Sequence, residues 1–152
     1  MLRQVKKYNV NRVIDANINR AKEGLRVCEE ITRFILDNRL LTSRLKRIRH
    51  NLTSLSESLI SKQELFKERE SIKDVGRFIK ANELKRDGLS GIFFANIQRV
   101  KESVRVLEEF SKLINIEVAL GFKNIRYKVY EIEKKVSVCL PLGKPLCGNK
   151  LR

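Results

Sequence analysis

The sequence predicts an all-α fold: an antiparallel four-helix bundle made of two duplicated αα-hairpins joined by an irregular connector. Apolar residues recur at spacings of three and four along most of the chain, which is the period of an amphipathic helix. No segment shows the alternating pattern of a β-strand. The chain also repeats itself, since residues 15–35 and 94–114 are identical at eleven of 21 positions. Two related hairpins pack most simply about a pseudo-two-fold axis.

Four long helices follow from this period. In chain order they are predicted at about residues 9–36, 43–60, 90–114 and 117–136. Asp37 and Asn38 should break the chain between the first two helices, with Thr42 or Ser43 as the N-cap of the second.

The connector, residues 61–89, is less regular than the helices. It opens with Ser-Lys-Gln-Glu at 61–64, which is the pattern of a capping box, and continues as a polar stretch through Asp74-Val75-Gly76. The repeat halves are then about 9–60 and 90–136 of a single domain, 1–136. Residues 137–152 hold both prolines and are expected to form a loose tail.

Composition narrows the possible functions. The 152 residues carry 33 Lys+Arg against 18 Asp+Glu, a net charge of +15 that attracts nucleic acid, anionic membranes or small phosphorylated metabolites. No apolar run approaches the roughly 20 residues needed to span a bilayer. The first residues lack the apolar core of a signal peptide, and three cysteines without a metal-ligand spacing fit a reduced compartment. We therefore expect a cytoplasmic protein with no membrane association.

Candidate binding residues come from the repeat. On a helical wheel Asn17 and Arg20 fall inside the apolar arc of the first helix, beside Gly24, and Asn96 and Arg99 occupy the same angles in the second copy. Burying such groups without partners costs several kcal/mol, so an internal carboxylate or an anionic ligand must satisfy them. Other charged residues of the first helix form an arc that should face water or a partner, namely Lys22, Arg26, Glu29, Glu30 and Arg33. This arc is a candidate interface for a homo-oligomer.

A second repeated segment provides further candidate binding residues. Arg49 and Arg126 occupy matching positions in Lys-x-Ile-Arg segments, where a planar guanidinium at the edge of an apolar stripe suits phosphate oxygens. His50 follows Arg49 and is either a packed or exposed ring or a functional one. Asp74 either coordinates Mg²⁺ or starts a turn. Cys28 lies on an apolar stripe and is expected in the core. No familiar nucleotide-binding fingerprint is present in the sequence.

Taken together, these segments resemble a small helical family that phosphorylates hydroxymethylpyrimidine phosphate to the diphosphate in thiamine biosynthesis and is often fused to thiamine-phosphate synthase. The resemblance covers about residues 12–135. It rests on Asp15-Ala-Asn17-x-Asn19-Arg20-x-x-Glu23-Gly24-Leu-Arg26-Val-x-Glu29, Arg49-His50-x-Leu52, Asp74-Val75-Gly76, Ala95-Asn96-x-x-Arg99-x-x-Glu102-x-x-Arg105-Val-Leu-Glu108-Glu109 and Phe122-x-x-Ile-Arg126-Tyr127-x-x-Tyr130. The chain departs from the expected pattern at Arg77, where a small hydroxyl residue is expected.

The resemblance implies a phosphotransferase that uses ATP and Mg²⁺, with a phosphorylated pyrimidine as its substrate and thiamine-phosphate synthase as a partner. The expected catalytic residues are Arg20 and Arg99. The expected substrate-binding residues are Asn17, Asn96, Arg49, Arg126, Glu23, Glu102 and His50, and the candidate metal ligand is Asp74.

The competing hypothesis is a basic helical module that binds nucleic acid or another protein. The net charge favours it, and the Lys/Arg-rich segment at 45–50 could follow a phosphate backbone. Aromatic residues make up only 7% of the chain and no recognition motif is visible, which argues against nucleic acid.

Overall fold

The structure, a computed structural model, describes residues 9–78 and 81–140, and most of these residues are helical. These residues contain five α-helices and no strand, so the all-α prediction is confirmed. The helices are α1 (Val10–Glu30), α2 (Arg39–Leu59), α3 (Lys62–Glu68), α4 (Gly88–Ser111) and α5 (Ile116–Cys139). A π-helical turn, Ile31–Ile35, extends α1, and a short 3₁₀ turn, Ala81–Leu84, precedes α4.

Asparagine side chains begin three of the long helices. Asn9 accepts a hydrogen bond from Arg12 N at the start of α1, and Asn115 caps α5 in the same way. Asn38, rather than Thr42 or Ser43, caps α2, and this corrects the sequence prediction. The Asn38 side chain accepts from Leu41 N at 3.0 Å, so the helix is already under way at Thr42, whose hydroxyl bonds back to the Asn38 carbonyl.

Two other boundaries behave as predicted. Asp37 adopts a positive φ of 48°, which ends the first helix and turns the chain toward Asn38. Ser61 and Glu64 form a reciprocal capping box at the start of α3.

The four long helices contact one another in a ring. Within each half α1 packs on α2 and α4 packs on α5, and between the halves α1 packs on α4 and α2 packs on α5. Neighbours run antiparallel, because Gly24 of α1 lies against Asn96 while the later Cys28 lies against the earlier Phe93. The core is filled from all four helices, with Leu25, Leu45, Phe93 and Phe122 fully buried.

The two halves approach each other closely at Gly24. A Cβ placed there would lie 3.0 Å from the Asn96 carbonyl oxygen and 2.8 Å from Val100 Cγ2, so α1 can meet the backbone of α4 only because the side chain is absent. Ala21 and Val100, which are equivalent positions of the repeat, are both fully buried near this crossing. The pseudo-two-fold relation between the halves therefore centres on the α1–α4 contact.

The connector is anchored to α1 around the end of α3, and most of its later residues are exposed. Arg69, just after α3, makes two hydrogen bonds of 2.6 and 2.7 Å to the buried carboxylate of Asp15 on α1. The rest of the connector leaves large apolar side chains in solvent, among them Val75 and Phe78.

Helix α5 continues three residues beyond its predicted end, to Cys139. The remainder of the predicted tail, from residue 141, lies outside the described residues. Among the helices described, none combines the length and the hydropathy that a membrane crossing requires.

Candidate functional site

A cavity of about 660 Å³ lies between α1 and α4, and its walls repeat the internal duplication. Ten of the twelve lining residues form five pairs separated by 79 positions, and Gly76 and Glu83 of the connector complete the lining. The pairs are Asn17/Asn96, Arg20/Arg99, Glu23/Glu102, Gly24/Ser103 and Val27/Val106. Most of the residues singled out from the repeat therefore meet at one place.

Helical geometry explains why the same positions of both copies face the cavity. Each set has spacings of 3, 6, 7 and 10 residues from its asparagine, which places the side chains on one face of an α-helix. Because α1 and α4 are antiparallel and cross at Gly24, the two equal faces are turned toward each other. One cavity with two chemically similar sides results.

The two asparagines are held in the same orientation. Asn17 Nδ2 donates to Val13 O and Asn96 Nδ2 donates to Ile92 O, each at 2.8 Å. A backbone carbonyl can only accept, so the amide nitrogen must face it, and the Oδ1 atom is the acceptor that remains. These amides are therefore fixed acceptors for an N–H group of a ligand.

The two arginines are more exposed than their place on the helical wheel suggests. Arg20 and Arg99 lie on the exposed rim of the cavity rather than in the core, because the cavity is open to solvent. Within the described residues neither guanidinium forms an ion pair, although most other arginines of α1 and α4 do. Two guanidinium groups with uncommitted donors thus face the same space, and such groups bind phosphate oxygens in a bidentate manner.

The carboxylates of the cavity balance these charges. Glu23, Glu102 and Glu83 line the same cavity as the two guanidinium groups, and Glu102 Oε1 accepts from Gln98 Nε2 at 2.9 Å. In the described part of the chain no three ligating side chains converge on a common metal position. Hard carboxylate oxygens fit Mg²⁺, which usually binds through one or two carboxylates together with substrate phosphates. The charges of this cavity suit a metal–phosphate ligand better than a bare anion.

Arg49 and Arg126, predicted to bind substrate, lie away from the cavity. Arg49 Nε donates to Glu29 Oε2 at 3.0 Å, and Arg126 Nε donates to Glu108 Oε2 at 2.9 Å. Arg26 and Arg105 reach the same two glutamates from one turn away, at 3.3 and 3.0 Å. We call each set, Arg26–Glu29–Arg49 and Arg105–Glu108–Arg126, a hairpin clamp, because each joins the two helices of one hairpin.

The clamps also correct the predicted charged arc. Glu29 was predicted to face water or a partner, yet Glu29 and its repeat counterpart Glu108 are both buried, because a guanidinium from the adjoining helix neutralises each. The hydrogen bond to Glu108, and to a smaller extent the one to Tyr130, raises the pKa of Arg126 above its usual value. This arginine therefore stays charged at every accessible pH.

The remaining candidates are also outside the cavity. His50 is exposed on α2. Asp74 starts a turn, since its Oδ1 accepts from Gly76 N at 2.9 Å and its carbonyl accepts from Arg77 N. That turn presents Gly76 to the cavity, so Asp74 shapes the wall indirectly.

Sequence reasoning missed four lining residues. Val27 and Val106 carried a usable signal, because they are identical in the repeat and fall on the same face as the asparagines. Gly76 stands in the Asp74-Val75-Gly76 segment of the family resemblance, whereas Glu83 carried no signal, because the path of the connector decides whether it reaches α1 and α4.

Comparison with known proteins gives a consistent picture. Residues 12–135 match the ThiD2 family. The thiamine-phosphate synthase of Synechocystis sp. is 37% identical over 133 residues, which are 87% of this chain and 37% of that protein. The thiamine-phosphate synthases of Rhodopirellula baltica and Nostoc punctiforme are 39% and 38% identical over 84% of this chain and 35% of each protein.

The chain spans about a third of the length of these curated relatives. No solved structure was found to match it.

Proposed function

The chain belongs to the ThiD2 family, and we propose that it transfers a phosphoryl group from ATP to hydroxymethylpyrimidine phosphate, giving the diphosphate used in thiamine biosynthesis. The observation that carries this proposal is the cavity in which two copies of an Asn/Arg/Glu set face each other. Family membership and the names of the relatives support a role in thiamine biosynthesis.

The chemistry of this reaction suits such a cavity. An oxygen of the acceptor phosphate attacks the γ-phosphorus of ATP, and the bond from that phosphorus to the β-phosphate oxygen breaks to release ADP. The attacking oxygen is already anionic near neutral pH, so no strong general base is needed. The barrier lies in bringing two anions together, which requires positioning and positive charge.

In our proposal Arg20 and Arg99 are the catalytic residues. Their guanidinium groups face one space from opposite helices, so one can hold the acceptor phosphate while the other holds the transferred group. Mg²⁺, when bound with ATP, supplies further neutralisation of the donor phosphates. Glu23 and Glu102, which line the cavity, would hold it.

Asn17 and Asn96 orient the acceptor. Their fixed Oδ1 atoms accept hydrogen bonds from an amino group, which the aminopyrimidine ring carries. Because each amide is locked to its own helix, binding costs little side-chain entropy.

The proposal is tested by incubating the purified chain with ATP, Mg²⁺ and hydroxymethylpyrimidine phosphate and following the diphosphate by ³¹P NMR. We expect a diphosphate signal that depends on enzyme, ATP and Mg²⁺ together. A reaction no faster than the no-enzyme control, in a sample that is folded by circular dichroism, would reject the assignment.

A second candidate function is binding of nucleic acid, and a separate groove favours it. Between α2 and α5 a groove of about 300 Å³ carries Arg44, Arg47, Lys128 and Lys135 above the apolar residues Ile48 and Ile132. RNA retention that collapses between about 50 and 200 mM salt and ignores sequence would mark it as nonspecific. Retention at the higher salt would favour this function over the kinase.

We also propose that the chain binds thiamine-phosphate synthase. In the relatives, a segment similar to this chain makes up about a third of one longer protein, and the other two thirds belong to the same polypeptide. Co-sedimentation with a separately produced synthase tests this partner, and a complex without any phosphoryl transfer would leave an interaction module as the better description.

A further inference from the structure

The connector carries an unusual amount of exposed apolar surface. Four large side chains within thirteen residues are almost fully in solvent: Ile72 at 78%, Val75 at 95%, Phe78 at 85% and Leu84 at 76%. Single exposed apolar residues are common on protein surfaces, whereas a cluster on one segment marks a surface that binds something.

The same segment already borders the cavity. Gly76 and Glu83 belong to its lining, and Val75 and Leu84 are their immediate neighbours in the chain. Phe78 is two residues from Gly76, a distance of at most about 7 Å along an extended chain. The exposed side chains of Val75 and Phe78 therefore lie on the part of the connector that borders the cavity.

The cavity itself lacks a wall for a flat ring. Apart from Val27 and Val106, its side chains are charged or polar, and they serve anionic groups and an amino group. Small-molecule sites normally bury most of their ligand against hydrophobic and aromatic side chains. For the aromatic face of the ligand, α1 and α4 provide only the side chains of Val27 and Val106.

We propose that the connector closes over the occupied cavity and that Val75 and Phe78 pack on the ring of the bound pyrimidine. The inference rests on the proposed function for the identity of the ring. Arg69, bound to Asp15, fixes one end of the segment, and Gly88, with a positive φ of 66°, joins the other end to α4. Closure would also exclude water from the phosphoryl group in transfer.

Limited proteolysis tests closure on the whole chain. Trypsin should cut after the exposed residues Lys73 and Arg77, and cleavage after Arg39 at the start of α2 serves as the internal control. Hydroxymethylpyrimidine phosphate with Mg²⁺ and a non-hydrolysable ATP analogue should slow the two connector cuts about tenfold, whereas pyrophosphate with Mg²⁺, which has no ring, should slow them far less.

Two variants identify the ring contact. Phe78→Ser and Val75→Ser should each weaken binding of the pyrimidine phosphate about tenfold in calorimetry while leaving pyrophosphate affinity within about threefold of wild type. Phe34→Ser, which alters a similarly exposed phenylalanine at the far end of α1, is the matched control and should change neither.

Four outcomes overturn the inference. If Phe78→Ser binds the pyrimidine phosphate as wild type does, no ring contact exists. If connector protection rises with protein concentration and ignores ligand, a second copy of the chain covers this surface instead. If wild type catalyses phosphoryl transfer but its connector is cut equally fast with every ligand, the connector does not close and the proposed function still stands. If wild type shows neither turnover nor protection by ligand, the proposed function is rejected together with closure.

Discussion

Gly24 sets the spacing of the two helices that form the cavity. Its Cα faces the Asn96 carbonyl and Val100, and its counterpart in the second copy is Ser103, which is buried. A methyl group at position 24 must push α4 away or distort Val100, so the residue controls both packing and cavity width.

We predict that Gly24→Ala lowers the free energy of unfolding by about 1–2 kcal/mol, although alanine is the better helix former. Urea denaturation followed by circular dichroism measures the change. Gly91→Ala is the control, because a Cβ there meets its nearest atoms at 3.5 Å and should be neutral or slightly stabilising. Equal stability of the two variants would show that α1 and α4 are not in close contact at Gly24.

Cys28 is a core residue, as its position on the apolar stripe predicted. It is fully buried, and its thiol contacts the Phe93 carbonyl oxygen at 3.8 Å. Burial, with a smaller effect from Glu133, raises the pKa of the Cys28 thiol from 9.0 to about 12. A thiol with so high a pKa is a poor nucleophile, which excludes it from catalysis near neutral pH.

This pKa shift predicts a pH dependence of stability. The unfolded chain loses the Cys28 proton above pH 9 while the folded chain keeps it until about pH 12, so the folded state binds more protons in this interval. The contribution of Cys28 to the free energy of unfolding should therefore fall by up to about 1.4 kcal/mol per pH unit above pH 9. Comparing wild type with Cys28→Ala from pH 8 to pH 10.5 isolates this contribution, and a constant difference would contradict the raised pKa.

The hairpin clamps are a second set of duplicated charges, which joins the two helices of each hairpin. Each clamp holds a buried glutamate of one helix against an arginine of its partner helix, at Glu29–Arg49 and at Glu108–Arg126. A buried carboxylate that loses its partner is strongly destabilising, so these pairs fix the register of each hairpin.

We predict that Arg126→Gln lowers the free energy of unfolding by about 2 kcal/mol, because Arg105 still reaches Glu108 and offsets part of the loss. Its KM for the pyrimidine phosphate should equal that of wild type at a temperature where both are folded. Lys123→Gln, at an exposed position on the same helix, should change stability by less than about 0.5 kcal/mol. A raised KM with unchanged stability would restore Arg126 to the substrate site.

Part of the cavity could be predicted from this sequence, whereas the ion pairs of the clamps could not. Asn17 and Arg20 could be grouped with Asn96 and Arg99 because a helical period and a repeat are both local patterns. The pairing of Glu29 with Arg49 depends on the register of two helices, which spacing alone does not determine.

The N-cap of α2 and the path of the connector could not be predicted from the sequence either. Asn38 and Thr42 are both competent N-caps, and only the backbone conformation decides between them. The contribution of Gly76 and Glu83 to the cavity depends on how the connector returns to α4, for which the sequence has no periodic signal.

At the scale of the whole molecule, duplication places a single site between the halves. Arg20 and Arg99 belong to different hairpins, and the cavity that both line exists only where α1 and α4 cross. Duplication is not sufficient, however, since Arg26 and Arg105 are repeated as faithfully as Arg20 and Arg99 and belong to the clamps. Position in the cavity, rather than retention in the repeat, is what our account ties to function.

The most direct test is kcat/KM for formation of the diphosphate in four single variants: Arg20→Gln, Arg99→Gln, Arg26→Gln and Arg105→Gln. The account predicts a loss of about 100-fold or more for each cavity arginine, with melting temperatures close to wild type because both side chains are exposed. The two clamp variants should keep kcat/KM within about threefold of wild type and lose stability instead. Cavity variants as active as wild type, or clamp variants equally impaired while folded, would contradict it.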